Sequence, residues 1–156
     1  MDMNDKYEVN DDTLAVIGVS NNKTRIIEYN SDFLLEDNAY QVMDYSCNYF
    51  GSSYKGRVEG TKNILGCKNK VPVIIEESKE IIFFPTTSPE LSKCCWISLN
   101  SIEKIDSCGK NSIIYLKNNK KIFLNVSKQS IDNQIFRATR LKYLLNTRKK
   151  EKSEKN

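Results

Sequence analysis

Apolar residues along the chain recur with the two periods that distinguish strands from helices. Short runs in which apolar residues alternate, or follow one another without a break, predict strands bounded by turn residues. The clearest case is a hairpin over residues 112–126, because apolar residues alternate on both sides of Asn118-Asn119. The other predicted strands cover residues 13–19, 24–29, 33–35, 71–76, 81–84, 93–99 and 102–105.

One helix is predicted in the middle of the chain, over residues 39–50. Its apolar residues recur at spacings of four, four and three, which places them on one stripe made of Ala39, Met43, Cys47 and Phe50. Either Asp37 or Asn38 can cap its N-terminus.

A second helix is predicted near the end of the chain, after Ser127 or Ser130, either of which can cap it. Its core-facing residues lie within about 120° of one another when successive residues turn by 100°. These residues are Ile131, Ile135, Ala138, Leu141 and Leu145. Phe136, Arg140 and Tyr143 share a different face, where they either form an oligomer contact or remain singly exposed.

Together these elements predict an α+β fold. We expect a bent antiparallel sheet of short hairpins, similar to a pleckstrin-homology domain, with a mid-chain helix and a C-terminal amphipathic helix. The chain has 156 residues, enough to bury a core. We therefore predict a single domain over residues 1–146, which begins with a loose acidic lead-in over residues 1–12, and a disordered basic tail over residues 147–156.

The composition argues against several classes of site. The chain has no histidine, and its five cysteines are scattered with no CxxC spacing. We therefore expect no metal, no cofactor and no enzyme activity, since the commonest metal ligand and general base is missing. No apolar run approaches the roughly 20 residues of a membrane helix, and the N-terminus lacks the pattern of a signal peptide. We expect a cytoplasmic protein with reduced cysteines.

Charge is distributed unevenly along the chain. Residues 1–44 hold ten acids and three bases, a net charge of −7. Residues 45–136 hold thirteen bases and eight acids, and residues 137–156 hold eight bases and two acids, for net charges of +5 and +6. An acidic start followed by a basic body and tail indicates a polyanionic partner.

The stretch from Ser46 to Thr61 concentrates chemistry that suits a nucleic-acid contact. It holds three of the six glycines and three aromatic residues, together with Lys55 and Arg57. We predict a Gly-rich loop in which Ser52, Ser53 and backbone amides bind phosphates. Arg57 is predicted to enter the narrow minor groove of A/T-rich DNA, whose negative potential attracts arginine. A tight structural loop with solvated charges fits the same residues.

Further candidates lie within and beyond this stretch. Tyr54 either wedges into DNA or packs against the protein, and packing is favoured. Lys62 opens a basic segment that runs to Lys70, and Arg137 and Arg140 on the last helix either bind phosphates or form a solvated face. A helix-turn-helix motif is not expected, because the two predicted helices lie roughly eighty residues apart.

Several segments occur in an order that is specific for a known family. They are Tyr7-Glu8-Val9-Asn10, the stretch from Ser46 to Arg57 followed by Gly60-Thr61, Phe83-Phe84-Pro85-Thr86, Cys95-Trp96-Ile97-Ser98, and Asn133-Gln134 with Arg137. They span residues 7 to about 145 and resemble the competence transcription factor ComK family.

The resemblance implies a bacterial transcription activator of DNA-uptake genes. It implies binding to paired A/T-rich boxes in double-stranded promoter DNA, including the promoter of its own gene, largely through the minor groove. It also implies homodimers that assemble into tetramers on DNA and an indirect action on RNA polymerase. Better-known members continue into a longer tail that a proteolysis adaptor captures, whereas this chain stops at Asn156. The resemblance therefore does not extend to that adaptor.

A second class of function fits the same residues. The hairpin-plus-helix ending and the basic patches are also typical of a pleckstrin-homology-like module that binds a protein partner or an anionic lipid. The sequence leaves this alternative open.

Overall fold

The computed structural model describes residues 6–154. Residues 1–5, which begin the predicted lead-in, and residues 155–156, which end the predicted tail, lie outside the described residues. In chain order the elements are β1 (Thr13–Ser20), β2 (Lys23–Glu28), β3 (Asp32–Leu35), α1 (Ala39–Tyr49), α2 (Tyr54–Leu65), β4 (Val73–Glu76), β5 (Ile81–Pro85), β6 (Cys95–Ser98), a 3₁₀ turn (Leu99–Ser101), β7 (Ile102–Cys108), β8 (Asn111–Leu116), β9 (Lys120–Leu124) and α3 (Lys128–Glu154).

The strands form two antiparallel sheets. One has six strands in the order β3-β2-β1-β6-β5-β4, and the other has three in the order β7-β8-β9. The predicted α+β class, with short antiparallel strands and a C-terminal helix, is confirmed. The prediction of one bent sheet was incomplete, because β7, β8 and β9 pair only among themselves in the described part of the chain.

The six-stranded sheet is the middle layer of the fold. Phe83 and Trp96 pack into a cluster with α1 and the start of α2, whereas their neighbours Phe84 and Ile97 pack into a cluster with the second sheet and α3. Side chains alternate between the two faces of a strand. A strand that is covered on both faces must therefore be apolar throughout, which explains the continuous apolar runs in β5 and β6.

The predicted helix and hairpin signals act locally as expected. The Asn38 side chain accepts a hydrogen bond from the Tyr40 backbone N–H at 2.9 Å and caps α1. Asn118 and Asn119 both adopt a φ of 59°, the conformation that a two-residue hairpin turn requires. Both predictions rest on short-range backbone chemistry, which does not depend on the rest of the fold.

The predicted Gly-rich loop over residues 46–61 was wrong. α1 continues to Tyr49, residues 50–53 form a turn, and α2 begins at Tyr54. Gly56 and Gly60 concealed this helix, since glycine is among the poorest helix formers. The capping residues were nevertheless present, with Ser53 at the N-cap and Gly66 at the C-cap with a φ of 72°. The absence of a helix-turn-helix motif was predicted from two helices roughly eighty residues apart, whereas α1 and α2 follow one another with four residues (50–53) between them.

The structure also differs from the predicted disordered tail, because α3 remains helical through Glu154. Adding a residue to an established helix costs far less than starting one, and the lysine, arginine and glutamate residues of this segment are good helix formers. The division into a single domain over residues 1–146 and a separate tail stays a prediction.

Gly18 allows a close approach between β1 and the chain before β6. Its backbone N–H donates to the Cys94 carbonyl oxygen at 3.0 Å, and a Cβ at Gly18 would lie 2.7 Å from the same oxygen. We expect Gly18→Ala to lower the free energy of unfolding by about 1–3 kcal/mol, because backbone atoms must shift. Urea denaturation measures this change. Gly60→Ala is the control, since a Cβ there meets nothing within 4 Å, and equal midpoints for the two variants would contradict the prediction.

Candidate nucleic-acid interface

α1 and α2 form a helical pair whose joint is fixed by local hydrogen bonds. The Asp44 carboxylate on α1 accepts from the Tyr54 backbone N–H at 2.9 Å, and the Ser53 hydroxyl accepts from the Gly56 N–H at 3.0 Å. These bonds satisfy two N–H groups of the first turn of α2, and the carboxylate also suits the positive end of the helix dipole. The direction of α2 relative to α1 is thereby set.

Tyr54 anchors α2 to the sheet. Its side chain is buried, and its ring contacts Tyr40 and Trp96 edge-on at centroid distances of 4.9 and 6.1 Å. The Trp96 Nε1–H donates to the Tyr54 hydroxyl at 3.2 Å. Burial raises the pKa of this phenol well above its usual range. Of the two roles considered for Tyr54, packing is the one that the structure favours, because its ring is buried against Tyr40 and Trp96.

The opposite face of α2 is exposed and carries two glycines. Its exposed residues are Lys55, Gly56, Glu59, Gly60 and Asn63. A Cβ at Gly60 would meet nothing within 4 Å, so no contact within the described structure requires glycine there. Glycine in a helix interior costs about 0.5–1 kcal/mol relative to alanine. Two glycines one turn apart leave backbone accessible to an approaching partner.

One side of this face is bordered by a cleft of 490 Å³ that we call the lysine cleft. Lys55 and Lys62 line it from α2, and Lys68 and Lys70 line it from the segment that follows. Lys62 forms a long ion pair with Glu59 at 3.5 Å, a surface contact of little energetic weight. Four cations from two segments thus lie along one border of α2.

The other side of the face is bordered by a cleft of 300 Å³ between α2 and α3, lined in part by Ser52, Arg57 and Arg148. The Arg57 Nε is buried and has no hydrogen-bond partner among the described residues. Nearby Cys47 is fully buried, and burial raises the pKa of its thiol to about 12 although the Arg57 charge opposes this shift. Cys47 is therefore an inert core residue, as predicted from its place on the α1 stripe.

The two predicted arginines of α3 lie near the C-terminal end of α2. They line a third cleft, of 390 Å³, together with Leu65, Cys67 and the exposed Phe136. Arg137 donates to the Asn69 carbonyl oxygen at 3.0 Å, so its guanidinium also holds the segment after α2. Arg140 is exposed.

The structure thus collects the predicted site residues around α2, although not on one face. Lys55 and Lys62 border one side, Ser52 and Arg57 border the other, and Arg137 and Arg140 border its C-terminal end. Ser53 caps the helix and Tyr54 is buried beneath it. Sequence reasoning did not place Lys68, Lys70 and Arg148 in the site. The charge run after α2 was the only local signal for the first two, and Arg148 fell within the segment predicted to be disordered.

Over residues 6–154, no cluster of three or more histidine, cysteine, aspartate or glutamate side chains is arranged to hold a metal ion. Within the same range no helix is long and apolar enough to cross a membrane.

Comparison with known proteins identifies the family. The family model described as ComK protein matches residues 4–150, and the chain therefore belongs to the ComK family. The chain is 32% identical over 142 residues to the competence transcription factor of Bacillus subtilis (strain 168), in a match that covers 88% of this chain and 74% of that protein. No solved structure matches. The resemblance inferred from the sequence segments is confirmed.

Removing the Tyr54 hydroxyl tests how α2 is anchored. Tyr54→Phe leaves the buried Trp96 Nε1–H without its partner, and we expect the free energy of unfolding to fall by about 1–2 kcal/mol. Urea denaturation followed by tryptophan fluorescence measures the loss. Tyr143→Phe removes a hydroxyl from an exposed side chain and should leave stability unchanged. Equal stabilities of the two variants would show that the bond does not hold α2.

Proposed function

We propose that this protein is a transcription activator of competence genes and that it binds double-stranded promoter DNA with α2 and the cations around it. Membership of the ComK family and similarity to a competence transcription factor support the biological role. The observation that carries DNA binding is the exposed face of α2 with cations on both sides. Lys55 and Lys62 lie on one side, and Arg57 and Arg148 lie on the other.

This distribution of charge matches the geometry of a duplex. The phosphates of the two strands run along both edges of a groove, and each cation that neutralises a phosphate releases counterions. Cations on two sides of one helix can therefore contact both strands at once. The acidic residues are concentrated in the first 44 positions, which precede α2. α2 itself holds one acid, Glu59, and three bases, Lys55, Arg57 and Lys62.

We further propose that the A/T-rich minor groove is read by a side chain and not by the helix. A helix with side chains is about 10–12 Å wide, whereas the minor groove is about 6 Å wide. α2 would lie against the sugar-phosphate backbone, where Gly56 and Gly60 permit close contact. Arg57, at the border of this face, would turn its partly buried guanidinium outward and enter the narrow groove, in which A/T-rich sequences concentrate negative potential.

The family resemblance extends the proposal to assembly. Two A/T-rich boxes would be bound by homodimers that associate into tetramers, and the bound protein would act on RNA polymerase indirectly. Neither step depends on which residues of α2 touch the DNA.

DNA binding is tested by fluorescence anisotropy on a duplex with two A/T-rich boxes and on a G/C-scrambled duplex, over a salt series. We expect a preference for the A/T duplex that persists as salt rises. Arg57→Ala should weaken A/T binding about tenfold or more and reduce that preference, because a groove contact is lost. Lys121→Ala, an exposed change in β9, is the control.

The outcomes separate the proposal from its alternatives. Unchanged affinity in Arg57→Ala would exclude Arg57 from the contact. Equal, steeply salt-dependent binding to both duplexes would mean only a basic surface. Sedimentation with anionic vesicles in the presence of competing DNA would instead support the pleckstrin-homology-like binding module.

Gly60→Ala should change protein stability and DNA affinity in opposite directions. The added methyl group has open space and raises helix propensity, so we expect the free energy of unfolding to rise by about 0.5–1 kcal/mol. The same methyl group should weaken DNA binding by preventing close approach. Asn146→Ala is the control, because it raises helix propensity at an exposed position of α3 that lines none of the three clefts. Full affinity in Gly60→Ala would show that DNA does not approach α2 closely at this residue.

A further inference from the structure

The lysine cleft combines a volume, a lining and a charge that suit a small ligand. Its 490 Å³ lies within the range of roughly 300–1,000 Å³ that is typical of small-molecule sites. Apolar surface comes from Val58, Val71 and Pro89, and Tyr40 adds a half-buried aromatic ring. A site of this kind needs a few polar groups on an apolar base, and here the polar groups are mainly lysines.

The charge of this cleft is largely uncompensated. Its four lysines face only two acids, Glu59 and Glu90. Glu59 forms the long ion pair with Lys62, and the Glu90 carboxylate accepts a hydrogen bond from the Ser88 hydroxyl at 2.9 Å. Among residues 6–154, the ammonium groups of Lys55, Lys68 and Lys70 form no ion pair and no hydrogen bond with the protein. Three ammonium groups are therefore available to donate hydrogen bonds to an anion.

The rim of the cleft is held in place from α3. The buried Gln134 donates to the Lys70 carbonyl oxygen at 2.8 Å and to the Pro85 carbonyl oxygen at 2.7 Å. Arg137 donates to the neighbouring Asn69 carbonyl oxygen at 3.0 Å. Lys70 itself adopts a φ of 49°, a left-handed conformation that non-glycine residues rarely occupy. A rim fixed in this way loses little further freedom when a ligand binds.

We propose that the lysine cleft binds a small phosphorylated molecule with a planar ring, of the nucleotide class. Its phosphates would accept charge-assisted hydrogen bonds from Lys55, Lys68 and Lys70. Its ring would pack on Tyr40 and the apolar base. Such a site is distinct from promoter recognition, because it takes a free ligand and requires no DNA.

Lys55 and Lys62 belong both to this cleft and to the proposed DNA-binding surface. A bound nucleotide and DNA therefore compete, and the ligand lowers the affinity for A/T-rich duplex. This last step rests on the proposed function, whereas ligand binding itself does not.

Isothermal titration calorimetry on the full chain, without DNA and at about 0.15 M salt, tests ligand binding. The titrants are ATP, GTP, inorganic tripolyphosphate and adenosine. We expect saturable 1:1 binding of ATP or GTP, weaker binding of tripolyphosphate, and none of adenosine. In the double variant Lys68→Gln/Lys70→Gln, nucleotide affinity should fall about tenfold or more, since bonds to charged groups are lost.

A matched double variant controls for charge. Lys110→Gln/Lys121→Gln removes the same charge from exposed positions outside the cleft and should bind nucleotide normally. No saturable binding of either nucleotide at millimolar concentrations, or equal loss in both double variants, would overturn the proposal. Tripolyphosphate binding as tightly as ATP would overturn the assignment of a ring-bearing ligand. Competition is read separately, as reduced anisotropy of the A/T duplex when nucleotide is added, so failure of DNA binding cannot be mistaken for failure of this site.

Discussion

The buried contact between Trp96 and Tyr54 is the interaction on which the candidate interface depends. Trp96 lies in β6, an inner strand of the six-stranded sheet, and Tyr54 is the first residue of α2. Both side chains are buried, so each polar group must find its partner within the protein or lose the hydrogen bond that water would have supplied. This requirement joins α2 to the middle layer of the fold and leaves its glycine-bearing face directed to solvent.

α2 depends on this attachment because its own sequence supports a helix poorly. It has twelve residues, two internal glycines and only two buried side chains, Tyr54 and Thr61. Isolated helices of this length are marginal in water even with favourable residues. Capping by Ser53 and Asp44 and packing through Tyr54 compensate for that weakness. The exposed face of α2 is therefore maintained by contacts on the opposite side of the helix.

α3 brings distant parts of the chain to the same surface. Its apolar stripe packs against the second sheet and the middle layer, while Gln134 and Arg137 hold the backbone at Asn69 and Lys70. Arg148 lines the cleft on the other side of α2. The cations around α2 consequently come from α2, from the segment after it and from α3. Their proximity is a result of packing, since the contributing residues lie up to about ninety positions apart in the sequence, from Lys55 to Arg148.

The sequence alone determined the features that local chemistry controls. Alternating and continuous apolar runs located the strands, the stripe with Asn38 as its cap located α1, and the ordered segments indicated the family, which the comparisons confirm. Only the tertiary structure decided that residues 54–65 are helical, because burial of Tyr54 outweighs the poor propensity of Gly56 and Gly60. It also decided the separation into two sheets and the grouping of the cations around α2, since strand pairing and side-chain proximity across the chain depend on packing and have no local pattern.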